Sequence, residues 1–234
     1  MSLPRAAILR ELGLWPQWRL KERPSAAPSP VSVGNGRAQK IACMGWDELT
    51  RAILQCEACP LHLTRTQGVP GVGDRNADWL IVGEAPGAEE DAQGEPFVGH
   101  AGKLLDAMLA AIDLARGRNV YIANVLKSRP PGNRNPAPEE IAACLPYLQR
   151  QIELIQPRII FAVGRFAAQA LLDTTEPIGR LRGRVHRYRG IPVVVSYHPA
   201  YLLRSPVEKA KSWEDLCLAR RIVAQGVQDG GAGP

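Results

Sequence analysis

One stretch of the chain decides its fold: Trp79-Leu80-Ile81-Val82-Gly83-Glu84-Ala85-Pro86-Gly87. Its first four residues are apolar and predict a short buried strand that ends at Gly83. The glycines and the proline that follow are typical of a shaped loop, and they argue against a regular helix before Asp91. Such a loop at the carboxyl end of a parallel strand is where open α/β sheets place their ligands.

Three further apolar runs have the same character, and helical patterns separate them. The runs cover residues 120–125, 159–163 and 193–195. The first helical pattern places apolar residues on one face between Leu104 and Ile112, and Pro138 stands where a second helix begins. Strands that alternate with helices in this way predict a three-layer α/β/α domain with a central, mainly parallel, four-stranded sheet.

The chain of 234 residues is long enough for one such domain and an appendage. Residues 1–45 hold seven Lys or Arg against two acids, and residues 24–39 are rich in Pro, Ser, Ala and Gly. We therefore expect a basic, flexible segment over residues 1–45, with a linker at 24–39. The domain is expected to cover residues 46–225, and Asp47 is predicted to cap its first helix. Residues 226–234 are expected to be a disordered tail.

Composition excludes several classes of protein. No apolar run approaches the roughly 18 residues that a membrane-spanning helix needs, and the first 30 residues do not resemble a secretory signal. We therefore expect a cytoplasmic protein with no membrane contact. The five cysteines, an odd number, argue against a disulfide framework, whereas the Cys56/Cys59 pair suggests metal, cluster or redox chemistry. The net charge of +6 favours an anionic partner.

Residues that could form a site lie at or just after the ends of the predicted strands. Glu84 and Glu90 follow the first strand, Asn124 lies in the second, Gly164 follows the third and His198 follows the fourth. Each has an ordinary explanation by itself, such as a turn-forming asparagine or a surface histidine. Because the carboxyl ends of parallel strands share one edge of a sheet, we expect these loops to meet there in one site.

The motifs around these residues resemble those of family 4 uracil-DNA glycosylases, the iron–sulfur members of the uracil-DNA glycosylase superfamily. The resemblance rests on Gly83-Glu84-Ala85-Pro86-Gly87 with Phe97 downstream, on Asn124-Val125-Leu126-Lys127 before Arg129-Pro130-Pro131, and on His198-Pro199-Ala200-Tyr201-Leu202-Leu203-Arg204. It covers roughly residues 45–225, and the motifs occur in the family's order. Each motif is weak evidence by itself, but the ordered set is specific.

The chemistry of these side chains agrees with that resemblance at the base. An enzyme that acts on a base in DNA must extrude the nucleotide into a pocket. The carboxamide of Asn124 can pair with O4 and N3–H of uracil and reject the reversed pattern of cytosine. Phe97 offers a flat face for the base, although a core phenylalanine is the alternative. The resemblance also places Ala85 and His198 against uracil.

Breaking the glycosidic bond leaves positive charge on the sugar and negative charge on uracil. The resemblance implies that His198 donates a hydrogen bond to O2 of the departing base. It also places Glu84 and Glu90 near the sugar, where a carboxylate can stabilise the cation and hold the attacking water. Glu89 and Asp91 are expected to be solvated loop acids.

Two further segments are predicted to contact DNA. Leu202, Leu203 or Arg204 could fill the gap that a flipped nucleotide leaves, although an ordinary amphipathic turn is the alternative. Five arginines between positions 180 and 189 alternate with apolar residues and Gly183, which suggests a hairpin with one charged face. Arg182 and Arg184 of this group are predicted to bind phosphates, unless the group is merely solvated.

The cluster of the family is held by four cysteines, and this chain matches three of the positions. These are Cys56, Cys59 and Cys144, whereas the fourth position is Ser128. Serine is a harder and far less acidic ligand than cysteine. Three outcomes are open: serine or water completes a labile 4Fe–4S cluster, Cys43 or another group substitutes, or the cluster is lost. We favour a weakened or altered cluster, and zinc on the three cysteines with His62 is a lesser alternative.

The sequence thus predicts a monofunctional glycosylase that hydrolyses the glycosidic bond of uracil in single- or double-stranded DNA, as a monomer, and initiates base excision repair. The alternative is a DNA-binding or damage-recognition module of the same fold with weak or lost catalysis. A related subgroup traps the abasic sugar covalently, but it carries a basic insertion after its first motif. Here Ala88-Glu89-Glu90-Asp91 follows that motif directly, which argues against the subgroup.

Overall fold

A six-stranded sheet forms the centre of the computed structural model, which describes residues 34–229, with side chains from 36 to 225. The strands are β1 (Val72–Gly73), β2 (Trp79–Gly83), β3 (Val120–Asn124), β4 (Ile159–Val163), β5 (Val185–Tyr188) and β6 (Ile191–Ser196). Their order across the sheet is β1-β3-β2-β4-β6-β5. The predicted α/β class is confirmed, but the predicted number of four strands is corrected to six.

The two additional strands lie at the edges and run antiparallel to their neighbours. β2, β3, β4 and β6 are parallel, as the sequence predicted, whereas β1 pairs with β3 and β5 pairs with β6 in the opposite sense. β1 contains only two residues, and β5 alternates between exposed and half-buried positions. Neither is a continuous apolar run, since an edge strand with an exposed face does not require one. The hairpin predicted from the arginines is present in part: β5 and β6 form a hairpin and Arg187 lies in β5, whereas Arg180 lies in the helix Ile178–Leu181.

Helices cover both faces of the sheet. They are α1 (Gly34–Ala42), α2 (Trp46–Leu54), α3 (Ala88–Gln93), α4 (His100–Ala110), α5 (Pro138–Ile155), α6 (Arg165–Leu172), α7 (Ile178–Leu181), α8 (Pro199–Arg204) and α9 (Lys209–Asp229). Leu80 and Val82 of β2 pack on one face with α5 and α6, whereas Trp79 and Ile81 pack on the other with α4 and α9. This alternation explains why the parallel strands read as unbroken apolar runs.

Order begins earlier in the chain than the sequence predicted. α1 covers the end of the expected linker, because Ile41 on this helix is buried against Leu49, Ile53 and Tyr147. The predictions for residues 1–33 and 230–234 lie outside the described residues. At the other end, α9 continues to Asp229, into the segment expected to be disordered from residue 226.

Two smaller predictions about the helices are also tested. α2 begins at Trp46 with Gly45 as its N-cap, so Asp47 lies in the first turn instead of capping it. Pro138 begins α5, as predicted, at a position where its missing N–H is not needed. Within residues 34–229, no helix is long and apolar enough to cross a bilayer.

Candidate active site

A cavity of about 430 Å³ opens at the carboxyl edge of the parallel strands. Loops that follow β2, β3 and β6 form its walls, so the convergence expected from the sheet topology is present. The predicted residues that line it are Glu84, Ala85, Glu90, Phe97, Asn124, His198 and Arg204. Gly164 does not line the cavity but contacts His198, since a Cβ at Gly164 would lie 3.2 Å from the Cβ of the histidine.

A second cavity of about 430 Å³ lies between α4, α8 and α9. Its lining is almost entirely apolar and includes Leu104, Met108, Leu202, Trp213 and Leu216. Such a surface offers few hydrogen bonds with which to recognise a polar ligand. The chemistry therefore points to the cavity at the sheet edge.

Asn124 is the last residue of β3 and is 2 % exposed. Its side-chain oxygen Oδ1 is buried and has no hydrogen-bond partner among the described residues. Gly83 lies directly opposite on β2, and a Cβ there would overlap both Oδ1 and the ring of Phe97. Glycine at position 83 therefore allows the amide and the ring to meet at the floor of the cavity. A buried acceptor without a partner costs free energy unless a ligand satisfies it.

Phe97 occupies the left-handed region of backbone conformation, with φ of 57°, which is unusual for a bulky residue. Its carbonyl accepts a hydrogen bond of 2.7 Å from Arg116, which also donates to the carbonyl of Pro96. The Phe97 ring is stacked on the imidazole of His198, with 5.5 Å between ring centroids. These contacts hold the ring in the cavity wall, and the ring also packs in the apolar core with Leu105, so a core role and a base-stacking role are compatible.

His198 precedes α8, and its ring is held in one tautomer. Nδ1 accepts a hydrogen bond of 3.1 Å from the backbone N–H of Ala200, so the proton of a neutral ring is on Nε2. Burial and, to a lesser extent, the charge of Arg204 lower the pKa of His198 to about 4, and the charge of Glu90 opposes this shift. At neutral pH the histidine is therefore an uncharged donor at the cavity.

The two predicted catalytic acids have different surroundings. Both carboxylate oxygens of Glu90 are engaged by backbone N–H groups, at 3.0 Å from Gly87, 3.1 Å from Val98 and 3.2 Å from Gly99. Glu90 therefore joins the loop after β2 to the loop before α4. Most of the roughly four acceptor positions of this carboxylate are thus used by the loops themselves.

Glu84 is the second acid at the cavity. Burial raises its pKa to about 7, and the charge of Arg165 opposes that rise. A carboxyl group with a pKa near the pH at which an enzyme works is suited to proton transfer. The geometry therefore favours Glu84 for chemistry and Glu90 for holding the loops.

The acids beyond Glu84 were expected to lie in a loop, and this prediction is corrected. They begin helix α3, where negative side chains are favourable at the positive end of the helix dipole. Glu89 is exposed, but Asp91 is buried and accepts hydrogen bonds from the backbone N–H groups of Thr66 and Gln67. Asp91 is thus a structural acid instead of a solvated one.

The three predicted wedge residues are divided by burial. Leu202 is 1 % exposed and packs in the apolar cavity, so in this structure it cannot reach DNA. Leu203 is 44 % exposed, and Arg204 is exposed and lines the candidate site. Leu203 and Arg204 therefore remain available for insertion.

The two predicted phosphate-binding arginines are also divided. Arg182 is mostly buried, pairs with Asp215 on α9 at 3.0 Å and stacks over Tyr197. Arg184 is exposed and makes a surface ion pair of 3.2 Å with Glu176. The register of the hairpin places both near the end of β6 that leads to His198. Arg182 is thus occupied in packing, and Arg184 is accessible.

The cavity has neighbours that the sequence reasoning did not select. Tyr201 lines it, and so do Asn133, Arg134 and Asn135 from the loop after β3. Arg134 is paired with Glu140 at 2.5 Å, which fixes this loop against α5. The run of prolines and the glycine from Pro130 marked a loop, but only the fold shows that it borders the site.

Lys127 was also missed, and it is fully buried behind Asn124. Its ammonium Nζ donates to the carbonyl of Asn124 at 2.7 Å and to Oε1 of Gln151 at 2.6 Å. Gln151 in turn donates to the carbonyl of Pro70 at 2.7 Å. Burial lowers the pKa of Lys127 to about 7. The available signal was a lysine directly after the apolar pair Val125-Leu126, because a lysine that is buried with such residues requires partners for its charge.

Three cysteines and a serine stand where the resemblance implies a 4Fe–4S cluster, and we name Cys56, Cys59, Ser128 and Cys144 the thiol corner. The hydroxyl of Ser128 accepts a hydrogen bond of 2.7 Å from Arg65. Within the described residues, no group of three or more His, Cys, Asp or Glu side chains is arranged to hold a metal ion. The donor set therefore does not fit four-thiolate ligation, and the described residues offer no Cys₃His zinc site.

Comparison with known proteins agrees with this geometry. The sequence profile of the Uracil DNA glycosylase superfamily matches residues 70–218. The chain is 49% identical over 168 residues to a type-4 uracil-DNA glycosylase of Archaeoglobus fulgidus, covering 68% of this chain and 84% of that protein. It is 43% identical over 183 residues to one of Pyrobaculum aerophilum, covering 75% and 93% of the two chains.

A third relative, the type-4 uracil-DNA glycosylase of Thermotoga maritima, is 43% identical over 178 residues, which cover 70% of this chain and 92% of that protein. Each of these alignments spans most of both chains, and the profile match contains the cavity residues of the loops after β2, β3 and β6. The chain therefore belongs to the uracil-DNA glycosylase superfamily and, within it, to the type-4 uracil-DNA glycosylases.

Proposed function

We propose that this protein is a monofunctional uracil-DNA glycosylase, which hydrolyses the bond between uracil and deoxyribose and leaves an abasic site for base excision repair. The observation that carries the proposal is the buried Oδ1 of Asn124, which lacks a partner among the described residues at the floor of a polar cavity. The N3–H group of a flipped uracil would satisfy this acceptor. The names of the relatives support the same activity.

Base selection follows from the two ends of the Asn124 carboxamide. Oδ1 would accept from N3–H of uracil while the amide nitrogen donates to O4. Cytosine presents an acceptor at N3 and a donor at N4, so both contacts would become repulsive. Phe97 would stack on the base, with Ala85 nearby at the cavity wall.

Bond cleavage is assigned to His198 and Glu84. As the bond between N1 and C1′ breaks, its electron pair goes to uracil, and Nε2–H of His198 would stabilise the charge that gathers on O2. Because the neutral ring carries its proton on Nε2, His198 can donate this hydrogen bond while it remains uncharged. Ionised Glu84 would stabilise the cationic sugar and accept a proton from the water that attacks C1′. Glu90 would act on the same site through the loops that it holds.

Two observations support hydrolysis without a covalent enzyme–sugar intermediate. Within the described residues, no lysine lines the cavity, and Lys127 is buried behind Asn124. Water is then the nucleophile, as expected for a monofunctional enzyme. We also propose that the protein acts as a monomer, because the groups assigned to base recognition and cleavage lie at or after the ends of β2, β3 and β6 of one domain, so the proposed chemistry requires no second copy.

DNA would approach the cavity entrance along α8 and the adjacent hairpin. Leu203 or Arg204 would enter the gap left by the flipped nucleotide, and unstacking costs a few kcal/mol, less for an unpaired base. Arg184 would contact a phosphate, whereas Arg182 would act by fixing the hairpin to α9. Both single- and double-stranded DNA are proposed substrates, since the cavity itself contacts only the flipped nucleotide.

The 4Fe–4S cluster of the family has no step in this proposal. The thiol corner offers three thiols and a hydroxyl that is already bonded to Arg65, so the chain does not match the cluster's usual ligands. Reading the base and breaking the bond are both assigned to residues at the sheet edge. The chain can therefore be tested for activity independently of its iron content.

The test is release of uracil from single- and double-stranded DNA by purified protein. We expect excision by the wild type, almost none by Asn124→Ala, and full activity from Asn76→Ala, an exposed control. Binding to the same DNA is measured on the same samples. If the wild type binds uracil-containing DNA without releasing uracil, the enzyme assignment is wrong and a damage-recognition module remains.

A further inference from the structure

The thiol corner joins three parts of the fold. Cys56 and Cys59 follow α2, Ser128 lies in the loop after β3, and Cys144 is on α5. In a cluster-binding relative, iron would connect these segments through sulfur. The structure of this chain shows other contacts that connect the same segments.

Arg65 makes the principal connection. One guanidinium nitrogen donates to the hydroxyl of Ser128 at 2.7 Å, and the other donates to the carbonyls of Leu54 and Cys56 at 2.8 and 2.9 Å. These carbonyls lie at the end of α2, where the last turn of a helix has no internal donors. A single side chain thus ties the end of α2 and the Cys56 turn to the loop that carries Ser128.

Arg37 makes a second connection. It donates to the carbonyl of Ala143 at 2.7 Å and to Sγ of Cys56 at 3.5 Å, and its guanidinium lies over the ring of Tyr147. Tyr147 donates in turn to the carbonyl of Ala52 in α2 at 3.0 Å. These contacts link α1, α2 and α5 without passing through a metal.

The remaining positions of the corner are also filled. Cys144 is buried with Leu61 and Leu126, with Cys59 packed against them, and its sulfur accepts from the backbone N–H of Lys127. Ser128 is 3 % exposed, which leaves little access for a water ligand. Cys43, the other candidate for a fourth ligand, is an exposed cysteine just beyond the end of α1.

We propose that the hydrogen bond from Arg65 to Ser128 takes the structural place of the fourth cluster ligand, and that this chain folds and keeps its cavity without an iron–sulfur cluster. A hydroxyl suits this role because it accepts from a cation without having to ionise, whereas iron ligation would require an alkoxide. The three segments are held by hydrogen bonds and apolar packing. This inference concerns folding and does not depend on the proposed activity.

The first test compares wild type, Ser128→Cys and Ser128→Ala, each purified anaerobically and each treated with iron and sulfide. Iron content, visible absorption and the thermal midpoint are measured. We expect the wild type to be folded and iron-free, with a thermal midpoint that the treatment does not change. Ser128→Cys, which restores the fourth thiol, is expected to take up about four iron atoms per chain. A wild type that carries about four iron atoms would overturn the proposal.

Ser128→Ala separates a hydrogen-bond acceptor from an iron ligand. Losing the acceptor of a charged donor should lower the thermal midpoint by about 3–10 °C in a protein of this size, with no change in iron content. Ser212→Ala is the matched control, because it removes another buried serine hydroxyl, on α9, whose partner is the neutral hydroxyl of Ser196. Its thermal midpoint should fall by less than that of Ser128→Ala. An unchanged thermal midpoint in Ser128→Ala would contradict the proposal.

The same samples separate this inference from the proposed function. Folded, iron-free wild type that releases no uracil would sustain the inference while refuting the proposed function. Wild type that releases uracil only when it carries about four iron atoms would refute the inference while sustaining the function.

Discussion

Asn124 and Glu90 show how contacts decide the role of a polar residue in a loop. Asn124 leaves one buried oxygen without a partner among the described residues, so that atom is available to a ligand. Glu90 has both oxygens engaged by backbone N–H groups, so it stabilises the loops around the same cavity. The sequence placed Asn124 at the base and Glu90 near the sugar, but it did not show which of their atoms already have partners. The different roles of the two residues follow from the hydrogen bonds of individual oxygen atoms.

The first prediction at this scale concerns base recognition by Asn124. Replacing it with alanine should lower kcat/KM for uracil excision by about 10²–10³-fold, because two contacts to the base are lost together. The reading is the rate of uracil release under single-turnover conditions. Thermal stability should change little, since the lost carboxamide oxygen has no partner in the described part of the free protein. A variant with normal excision would remove Asn124 from the site.

The second prediction is a pH dependence that arises from Glu84. Its pKa is raised to about 7, so the group is mostly protonated at pH 6 and mostly ionised at pH 8. If the carboxylate is the active form, kcat/KM should rise with pH through about 7. His198 does not contribute in this window, because with a pKa of about 4 it is neutral throughout.

Glu84→Gln should abolish this rise and lower kcat/KM by about 10²-fold at pH 8. Glu89→Gln, which changes an exposed acid on α3, should retain both the rate and the rise. A pH profile that is the same in Glu84→Gln and in wild type would show that another group is responsible.

The third prediction treats Lys127 as a positioning residue for Asn124. Lys127→Met keeps most of the side-chain volume but leaves the carbonyl of Asn124 and Oε1 of Gln151 without donors. Gln151→Met is the matched control, because it removes the outer partner and retains the contact to Asn124. Both variants should lose stability, since each leaves a buried polar atom unpaired. Only Lys127→Met should lose excision rate, by about tenfold or more in kcat.

The measurement is kcat and KM for both variants, with the thermal midpoint measured on the same samples. Equal losses of kcat in the two variants would show that Lys127 supports the fold in general and does not position Asn124.

Short helices position two residues of the candidate site. α8 begins directly after His198, and the histidine caps this helix through Nδ1, which fixes the tautomer that exposes the Nε2 proton. α3 begins directly after Gly87, and Glu90 in its first turn bonds back to Gly87. In both cases, a residue that lines the candidate site also takes part in the hydrogen bonds that begin a helix. For His198, one hydrogen bond both caps the helix and fixes which ring nitrogen carries the proton.

The fourth prediction concerns the β5–β6 hairpin and its two arginines. Arg182→Met removes the partner of Asp215, whose side chain is fully buried, and should destabilise the protein by about 3 kcal/mol. Arg184→Met removes an exposed ion pair and should change stability by less than about 1 kcal/mol. We would measure the free energy of unfolding by denaturant titration and the affinity for DNA at several salt concentrations.

For DNA binding, Arg184→Met should have the larger effect and Arg182→Met the smaller. Arg184→Met is expected to weaken binding and to reduce the slope of log affinity against log salt by about one, because one phosphate contact is lost. Arg182→Met, measured well below its unfolding temperature, should keep the wild-type slope. The assignment fails if Arg182→Met changes the slope and Arg184→Met does not.

At the scale of the whole molecule, the site exists because parallel strands end at one edge. Residues 84, 97, 124 and 198 are far apart in the chain, yet all line one cavity. β2 lies between β3 and β4, and β6 lies next to β4, so the loops after β2, β3 and β6 are near neighbours. The thiol corner forms in the same way from segments after α2, after β3 and in α5.

The sequence alone determined the class of fold, the four parallel strands and the residues that meet at their ends. Continuous apolar runs require a sheet that is covered on both faces, and the direction of parallel strands then places their loops together. Both features can be recognised in short segments of the sequence, and a parallel sheet covered on both faces satisfies them together. β1 and α1 escaped prediction because their residues are only partly apolar, and contacts with the rest of the fold stabilise them, whereas β5 was expected only within a hairpin and was not counted among the strands.

Only the tertiary structure decided how individual polar atoms are used. It showed that Glu90, Asp91 and Arg182 are occupied by partners, that Leu202 is buried, and that Ser128 is bonded to Arg65. A sequence motif fixes which side chain is present but not what it contacts, since the partners come from distant segments. Hydrogen bonds form over about 3 Å, and distances of that size are set by packing.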